Sequence, residues 1–255
     1  VYILFAATGA AAMKLAEWLD GKDGFVKLAA AVIVLAAVMR FFLAAISHPA
    51  GDSCYHLSVA RFIAESSRLP LFEPFGVSDR MVFSVPPLFH IVAAAVYKIF
   101  SLFSISAAEF AIKLVSPLFG SLTLPFIFLI SRRLYNSRVA FFATLFVAFL
   151  PMHINSSVVS FVDSLATLLA AAAIYLVLSR RIFLAAVAVG LGLLSKQTIV
   201  FMLPVFFFAL FITYGSNLKI FLKKSAAAAA ITAVIGIPWL VRNYVLLGNP
   251  FWPFL

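Results

Sequence analysis

Long apolar runs broken by short charged connectors dominate this chain. They fall at about residues 28–47, 110–130, 139–154, 164–178, 182–195, 198–215 and 226–241. Each is long enough, or nearly so, to cross the ~30 Å hydrocarbon layer of a bilayer as a helix, which takes about 20 residues. None alternates as a membrane-barrel strand does, and a lone strand in lipid would leave its backbone groups unpaired. The pattern therefore predicts an all-α, polytopic transmembrane helical bundle. A further partial run at residues 1–13 reads as the end of a preceding span.

The connectors set the orientation. Arg132, Arg133 and Arg138 lie between the second and third runs, Arg180 and Arg181 between the fourth and fifth, and Lys219, Lys223 and Lys224 between the sixth and seventh. Every second connector is thus basic. The positive-inside rule assigns these to the cytoplasm, with Lys14, Lys22 and Lys27 ahead of the first span on the same side. This parity holds only if residues 86–104, which carry His90 and Lys98, do not span the membrane but lie along its outer surface. They then belong to a long first extracytoplasmic loop, residues 48–109, with a short helix at 53–66 and punctuation by Pro70, Pro74, Pro86 and Pro87. An eighth full span there would put the Arg132 cluster outside and separate the acidic residues onto different faces.

Composition narrows the class. Hydrophobic residues make up 65% of the chain, charged residues 11%, and the mean hydropathy is +1.13, which excludes an ordinary soluble domain. The formal charge of +10 sits in the connectors rather than on one solvated face, so topology accounts for it and nucleic acid is not a partner. Cys54 is the single cysteine, which rules out an internal disulfide and a cysteine-built metal cluster. The chain starts without Met and stops at Pro253-Phe254-Leu255, so residues 1–255 read as one transmembrane catalytic module belonging to a longer chain.

Acidic residues carry the chemical signal because they are scarce. Beyond Glu109 there is one, Asp163, at the head of the fourth run. A carboxylate there either caps the helix or faces a polar cavity. Asp52 opens Asp52-Ser53-Cys54-Tyr55-His56, and it too can cap the helix that follows. Its spacing of four to His56 also places both on one helical face, able to orient an acid and its partner or to contribute to a metal site. Lys196 and Arg242 fall at outer helix ends, where the charge bias disfavours cations, so they either grip a phosphate or snorkel to lipid headgroups. Arg40, inside the first span, is placed to pair or snorkel. His48, His90 and His153 fall near the outer interface.

The order of these features resembles the GT-C superfamily of polyprenyl-phosphate-dependent glycosyltransferases, which includes protein O-mannosyltransferases and lipid A aminoarabinose transferases. The elements are Arg40, Gly51-Asp52 with Tyr55-His56 and Ala60-Arg61, Val85-Pro86-Pro87-Leu88-Phe89-His90, and Arg132-Arg133-Leu134-Tyr135. Asp163, Leu194-Ser195-Lys196, Pro238-Trp239 with Arg242-Asn243, and Gly248-Asn249-Pro250 complete them. The resemblance implies transfer of a sugar from a polyprenyl-phosphate donor to a hydroxyl acceptor on protein, lipid or glycan, with inversion. It implies a multi-pass protein of a prokaryotic plasma membrane whose site faces outward. Asp52 and Asp163 correspond to the family's catalytic acids, and Tyr55, His56, His90, Lys196 and Arg242 to substrate-binding positions. A divalent metal stays open, with Asp52, His56 and Asp163 as its ligands if one is used. The isolated acids in Asp52-Ser53-Cys54 and Val162-Asp163-Ser164 favour the metal-independent branch, while Tyr55-His56 resembles the metal-using one. Val85 departs from the His that often precedes Pro-Pro in the family. The competing class is a transporter or lipid flippase without covalent chemistry, which would place such groups near the bilayer midplane.

Overall fold

The computed structural model describes residues 24–75 and 81–252; the expectations for residues 1–13, Lys14 and Lys22 lie outside the described residues. Each remaining apolar run is helical. The first is α1 (Gly24–Ile46), and the second falls in α4 (Ile105–Lys113) and α5 (Val115–Leu134). Between them come α2 (Asp52–Ser66) and α3 (Leu88–Phe100). The third run is α6 (Ser137–Phe149) followed by α7 (Pro151–Val158), bent by 57°. The others are α8 (Asp163–Leu178), α9 (Ile182–Ser195), a 3-10 turn (Gln197–Met202) with α10 (Leu203–Tyr214), and α11 (Leu218–Leu247).

Seven full spans were expected, and length corrects this. Among the described residues four helices are long and apolar enough to cross a bilayer, or five if the bent pair counts as one span. The 16 residues of α8 and 14 of α9 reach only about 24 and 21 Å at 1.5 Å per residue. Both helices are walled by protein: Ala173, Val177, Ala185, Ala186 and Val189 share a buried core with Phe206, Leu210 and Ala228. Small residues permit that packing. A Cβ on Gly190 would come within 2.7 Å of Ile235, and one on Gly236 within 2.8 Å of Leu193, so α9 and α11 touch backbone to side chain. At 13 residues α3, like α8 and α9, falls among the shorter apolar helices.

The bend between α6 and α7 has a chemical cause. Pro151 has no N–H, Leu150 is extended, and the α6 ladder stops, leaving the Ala148 carbonyl without a helical donor. Arg40 of α1, fully buried, fills the gap. Its Nη2 donates to Ala148 O (2.8 Å) and to His153 Nδ1 (2.8 Å), its Nη1 to Ala36 O (3.0 Å) and its Nε to Ser157 Oγ (3.1 Å). A guanidinium only donates, so His153 Nδ1 accepts and the ring proton sits on Nε2. Gly120 on α5 leaves room for Ser157, whose side chain a Cβ there would overlap. Arg40 therefore pairs with dipoles alone.

The segment from α2 to α3 covers one end of the bundle. Ala60, Phe89 and Ala93 pack on Val115 of α5 and on Val162 and Leu165 at the head of α8; Val59 and Phe83 pack on Trp239 of α11. The basic connectors join the opposite helix ends, where the Arg180 guanidinium lies 5.7 Å from the Tyr214 ring centroid. Replacing Arg40 by Met should leave Ala148, Ser157 and His153 without their donor and cost about 2–4 kcal/mol, read as a lower thermal midpoint of the detergent-solubilised protein. Arg40→Lys should fall between the two, because an ammonium cannot reach all four acceptors. Three coincident melting curves would mean that the bend is held by something else.

Candidate active site

Two helix starts place the two acids, and neither acid acts as a cap. At α2 the cap residue is Gly51, with φ of 55°, and Ser53 Oγ closes the turn by accepting from Ala50 N (3.0 Å) and donating to Ala50 O (3.2 Å). The Asp52 carboxylate is left exposed and, among the described residues, accepts no hydrogen bond. At α8 the cap residue is Val162, and Asp163 instead meets Lys196 Nζ at 2.5 Å, with side chains 41% and 31% exposed. Three hydroxyls hold this turn. Ser116 and Ser164 donate to Phe161 O at 3.2 and 3.0 Å, and Ser195 donates to Val162 O at 3.3 Å. Lys196 is the extended residue that ends α9 before the 3-10 turn, so its side chain leaves the helix axis toward Asp163.

His56 links the two acids. It is buried one turn beyond Asp52, and burial lowers its pKa; the negative charges of Asp52 and Asp163 act in the opposite sense and Lys196 adds to the lowering. These four groups thus share one electrostatic neighbourhood. His56 Nδ1 lies 3.0 Å from His90 Nε2. His90 is fully buried, and burial, aided by His56, drives its pKa to about 3. Beside them Tyr55 Oη donates to Glu73 Oε2 at 2.6 Å. Burial raises the pKa of Glu73, while burial and then Glu73 raise that of Tyr55. Glu73 was not singled out from sequence, although an acid between Pro70 and Pro74, next to a rigid turn, is a usable signal.

Arg242, on α11, donates to the loop ahead of α3. Its Nη1 donates to Phe83 O (2.7 Å) and Asn243 Oδ1 (3.2 Å), its Nη2 to Pro70 O (3.4 Å), and it lies over the Trp239 ring at 4.4 Å. Trp239 Nε1 and Asn243 Nδ2 both donate to Ser84 O, at 3.2 and 3.4 Å. One turn of α11 thus clamps the strand-like approach to α3, whose carbonyls have no helical donors. Arg242 thus holds the loop ahead of α3 through the carbonyls of Phe83 and Pro70.

Two cavities frame these residues. One of about 430 Å³, lined by Cys54, Leu57, Arg61, Glu109 and Lys113, uses α2 positions on the side away from Asp52 and His56. The other, about 230 Å³ and largely apolar, lies between α9, α10 and α11 against Leu193, Gln197, Leu203, Phe207 and Ile237. No three His, Cys, Asp or Glu side chains among the described residues are grouped to hold a metal ion. His56 Nδ1 faces His90 and the Asp163 carboxylate faces Lys196, so the trio Asp52, His56 and Asp163 is not assembled as a ligand set.

Residues 84–241 match the family model described as dolichyl-phosphate-mannose-protein mannosyltransferase, an interval that makes up more than half of the chain. The chain belongs to that family. The matched interval contains His90, Asp163, Lys196 and Trp239, and it begins after Asp52, Tyr55 and His56. Among solved structures, ArnT from Cupriavidus metallidurans bound to undecaprenyl phosphate superposes with a TM-score of 0.66 at 21% identity, over 91% of this chain and 43% of that one. The mannosyltransferase-family chain therefore has an ArnT-like GT-C fold, is a multi-pass membrane protein, and spans less than half the length of ArnT. No curated protein matches it.

Burial of the histidine pair makes stability depend on pH in a defined direction. Against an unfolded value near 6.5, the folded pKa of His90 is about 3, so the neutral ring favours the fold fully above the unfolded value. Stability is then lost as pH falls through that range, at about 1.4 kcal/mol per unit below pH ~6.5 for this one group. His56, also lowered, adds to the loss. His90→Gln should flatten the fall of the thermal midpoint between about pH 7 and about pH 5; an equally steep fall in the variant would show that His90 does not titrate with unfolding.

Proposed function

We propose that this chain is the membrane-embedded part of a glycosyltransferase that moves a sugar from a polyprenyl-phosphate carrier to a hydroxyl acceptor at the extracytoplasmic face. The observation that carries the reading is the arrangement of the Asp163–Lys196 pair and the exposed Asp52 around His56, at the end of the bundle remote from the basic connectors. Family membership and the shared fold support it. In this reading residues 48–109 form the first extracytoplasmic loop, with α2 and α3 over the site.

Asp52 takes the proton of the acceptor hydroxyl as that oxygen attacks the anomeric carbon. The bond from that carbon to the phosphate oxygen breaks, and the phosphate leaves with the electron pair. Lys196 Nζ balances its growing charge, held in place by Asp163. A single displacement inverts the anomeric centre. The apolar crevice beside Gln197 suits an isoprenoid tail, since it is lined by Leu193, Leu203, Phe207 and Ile237. Arg242, Trp239 and Asn243 keep the approach to α3 in position rather than touching the donor. A transporter is the weaker reading, because these ionisable groups gather at one end of the helices instead of at mid-depth.

In membranes given a radiolabelled polyprenyl-phosphate sugar, Asp52→Asn should abolish transfer while leaving the thermal midpoint intact; near-normal transfer would remove Asp52 from the reaction. Lys196→Met should lower kcat/KM for the donor by about 10²-fold, and a wild-type value would move the phosphate elsewhere.

A further inference from the structure

A groove between α2 and α3, which the proposed reaction does not use, is basic and apolar at once. We infer that it seats the phosphodiester headgroup of an anionic phospholipid, with Arg68 and Lys98 on the phosphate and the outward face of α3 among the acyl chains of the leaflet at that end of the bundle.

Depth is the first argument for lipid as the occupant. α3 packs through Phe89 and Ala93 on Val162 and Leu165 at the head of α8. With 16 residues, α8 rises only about 24 Å from the Arg180–Arg181 connector, against a hydrocarbon layer of about 30 Å. α3 therefore lies at the level of the opposite lipid–water boundary, where headgroups are.

The outward face of α3 is the second. Phe89, His90, Ala93, Ala94 and Tyr97 are buried on one side. Ile91, Ala95 and Ile99 recur every four residues on another and are exposed, and the turn that follows exposes Leu102 (84%) and Phe103 (79%). A helix apolar on both sides yet too short to span is stable where its second side meets acyl chains.

Charge then selects the headgroup. The groove, about 290 Å³, is lined by Arg68, Lys98, Ser67, Ile63, Leu69 and Ile91 among others, and none of the described residues lining it is an acid. Lys98 Nζ gives one proton to Ser67 Oγ (3.0 Å) and keeps two. Arg68 is exposed just past Ser67, the left-handed residue (φ 55°) that ends α2, and among the described residues it forms no ion pair. Two cations with donors to spare suit the oxygens of a phosphate. With no acid beside them, the ammonium of a zwitterionic headgroup would have no counter-charge, so a lipid of net negative charge is preferred. The larger cavity against α2 differs in this respect: there Arg61 is paired with Glu109, and Lys113 donates to the carbonyls of Ala45 and Ser47.

The test titrates full-length protein in neutral detergent with phosphatidylglycerol or phosphatidylcholine of matched chains and reads the tightest bound lipid by native mass spectrometry. Phosphatidylglycerol should bind about tenfold more tightly. Arg68→Gln combined with Lys98→Gln should remove that difference and leave the thermal midpoint without lipid unchanged, since both side chains are exposed. Arg68→Lys with Lys98→Arg keeps the charges and should keep the preference. Glycerol phosphate, a headgroup without chains, should compete about a hundredfold less well; equal competition would overturn a lipid occupant. Displacement by equimolar undecaprenyl phosphate would assign the groove to a sugar carrier and overturn the inference. So would an undiminished preference in the double Gln variant, or none in the wild type. Asp52→Asn, inactive in the proposed reaction, should bind phosphatidylglycerol as the wild type does, so a failure of the transfer reading and a failure of the lipid site are read separately.

Discussion

In hydrocarbon a carbonyl or cation that loses its partner finds no water to replace it, and the cost of several kcal/mol has to be met from within the chain. This constraint explains where the polar side chains of the bundle sit. Three breaks are matched by donors from other helices: Arg40 at the α6–α7 bend, Ser116 and Ser195 at Phe161 and Val162, and the Trp239–Asn243 turn on the segment at Phe83 and Ser84. The breaks are also where the chain turns its chemistry-bearing residues inward. Asp163 follows the α7 bend, Lys196 ends α9, and His90 follows the clamped segment.

The same constraint sorts the cations. Those in the connectors at one end are exposed and, among the described residues, form no ion pair; Arg180 stacks on Tyr214. At the other end, Arg40 and Arg242 serve backbone carbonyls and Lys196 serves Asp163. Of the two cations first paired with a lipid phosphate, only Lys196 stays close to the acids. Arg242 donates to the carbonyls of Pro70 and Phe83.

Neutral groups complete the site. Histidines 56 and 90 are buried against Phe83 and Phe89, and their rings meet edge to face with those aromatics. Such packing keeps both uncharged and rigid, which suits a role in orienting a ligand better than one in carrying charge.

Hydropathy alone specified the helices and their alternation, because a period-free apolar run of this length has no other stable form in lipid. It also marked Asp163, since a lone acid in more than half of the chain has to be explained. Tertiary structure decided the rest. Whether α8 and α9 need full span length depends on their being walled by neighbours, which no local pattern records. Asp52 and Asp163 both had the sequence context of helix caps, yet Gly51 and Val162 hold the cap positions, and Asp163 pairs with Lys196, a residue distant in sequence. The His56–His90 contact and the Tyr55–Glu73 bond join elements separated by a proline-rich segment whose path depends on the grip of α11, so neither pairing could be read from spacing.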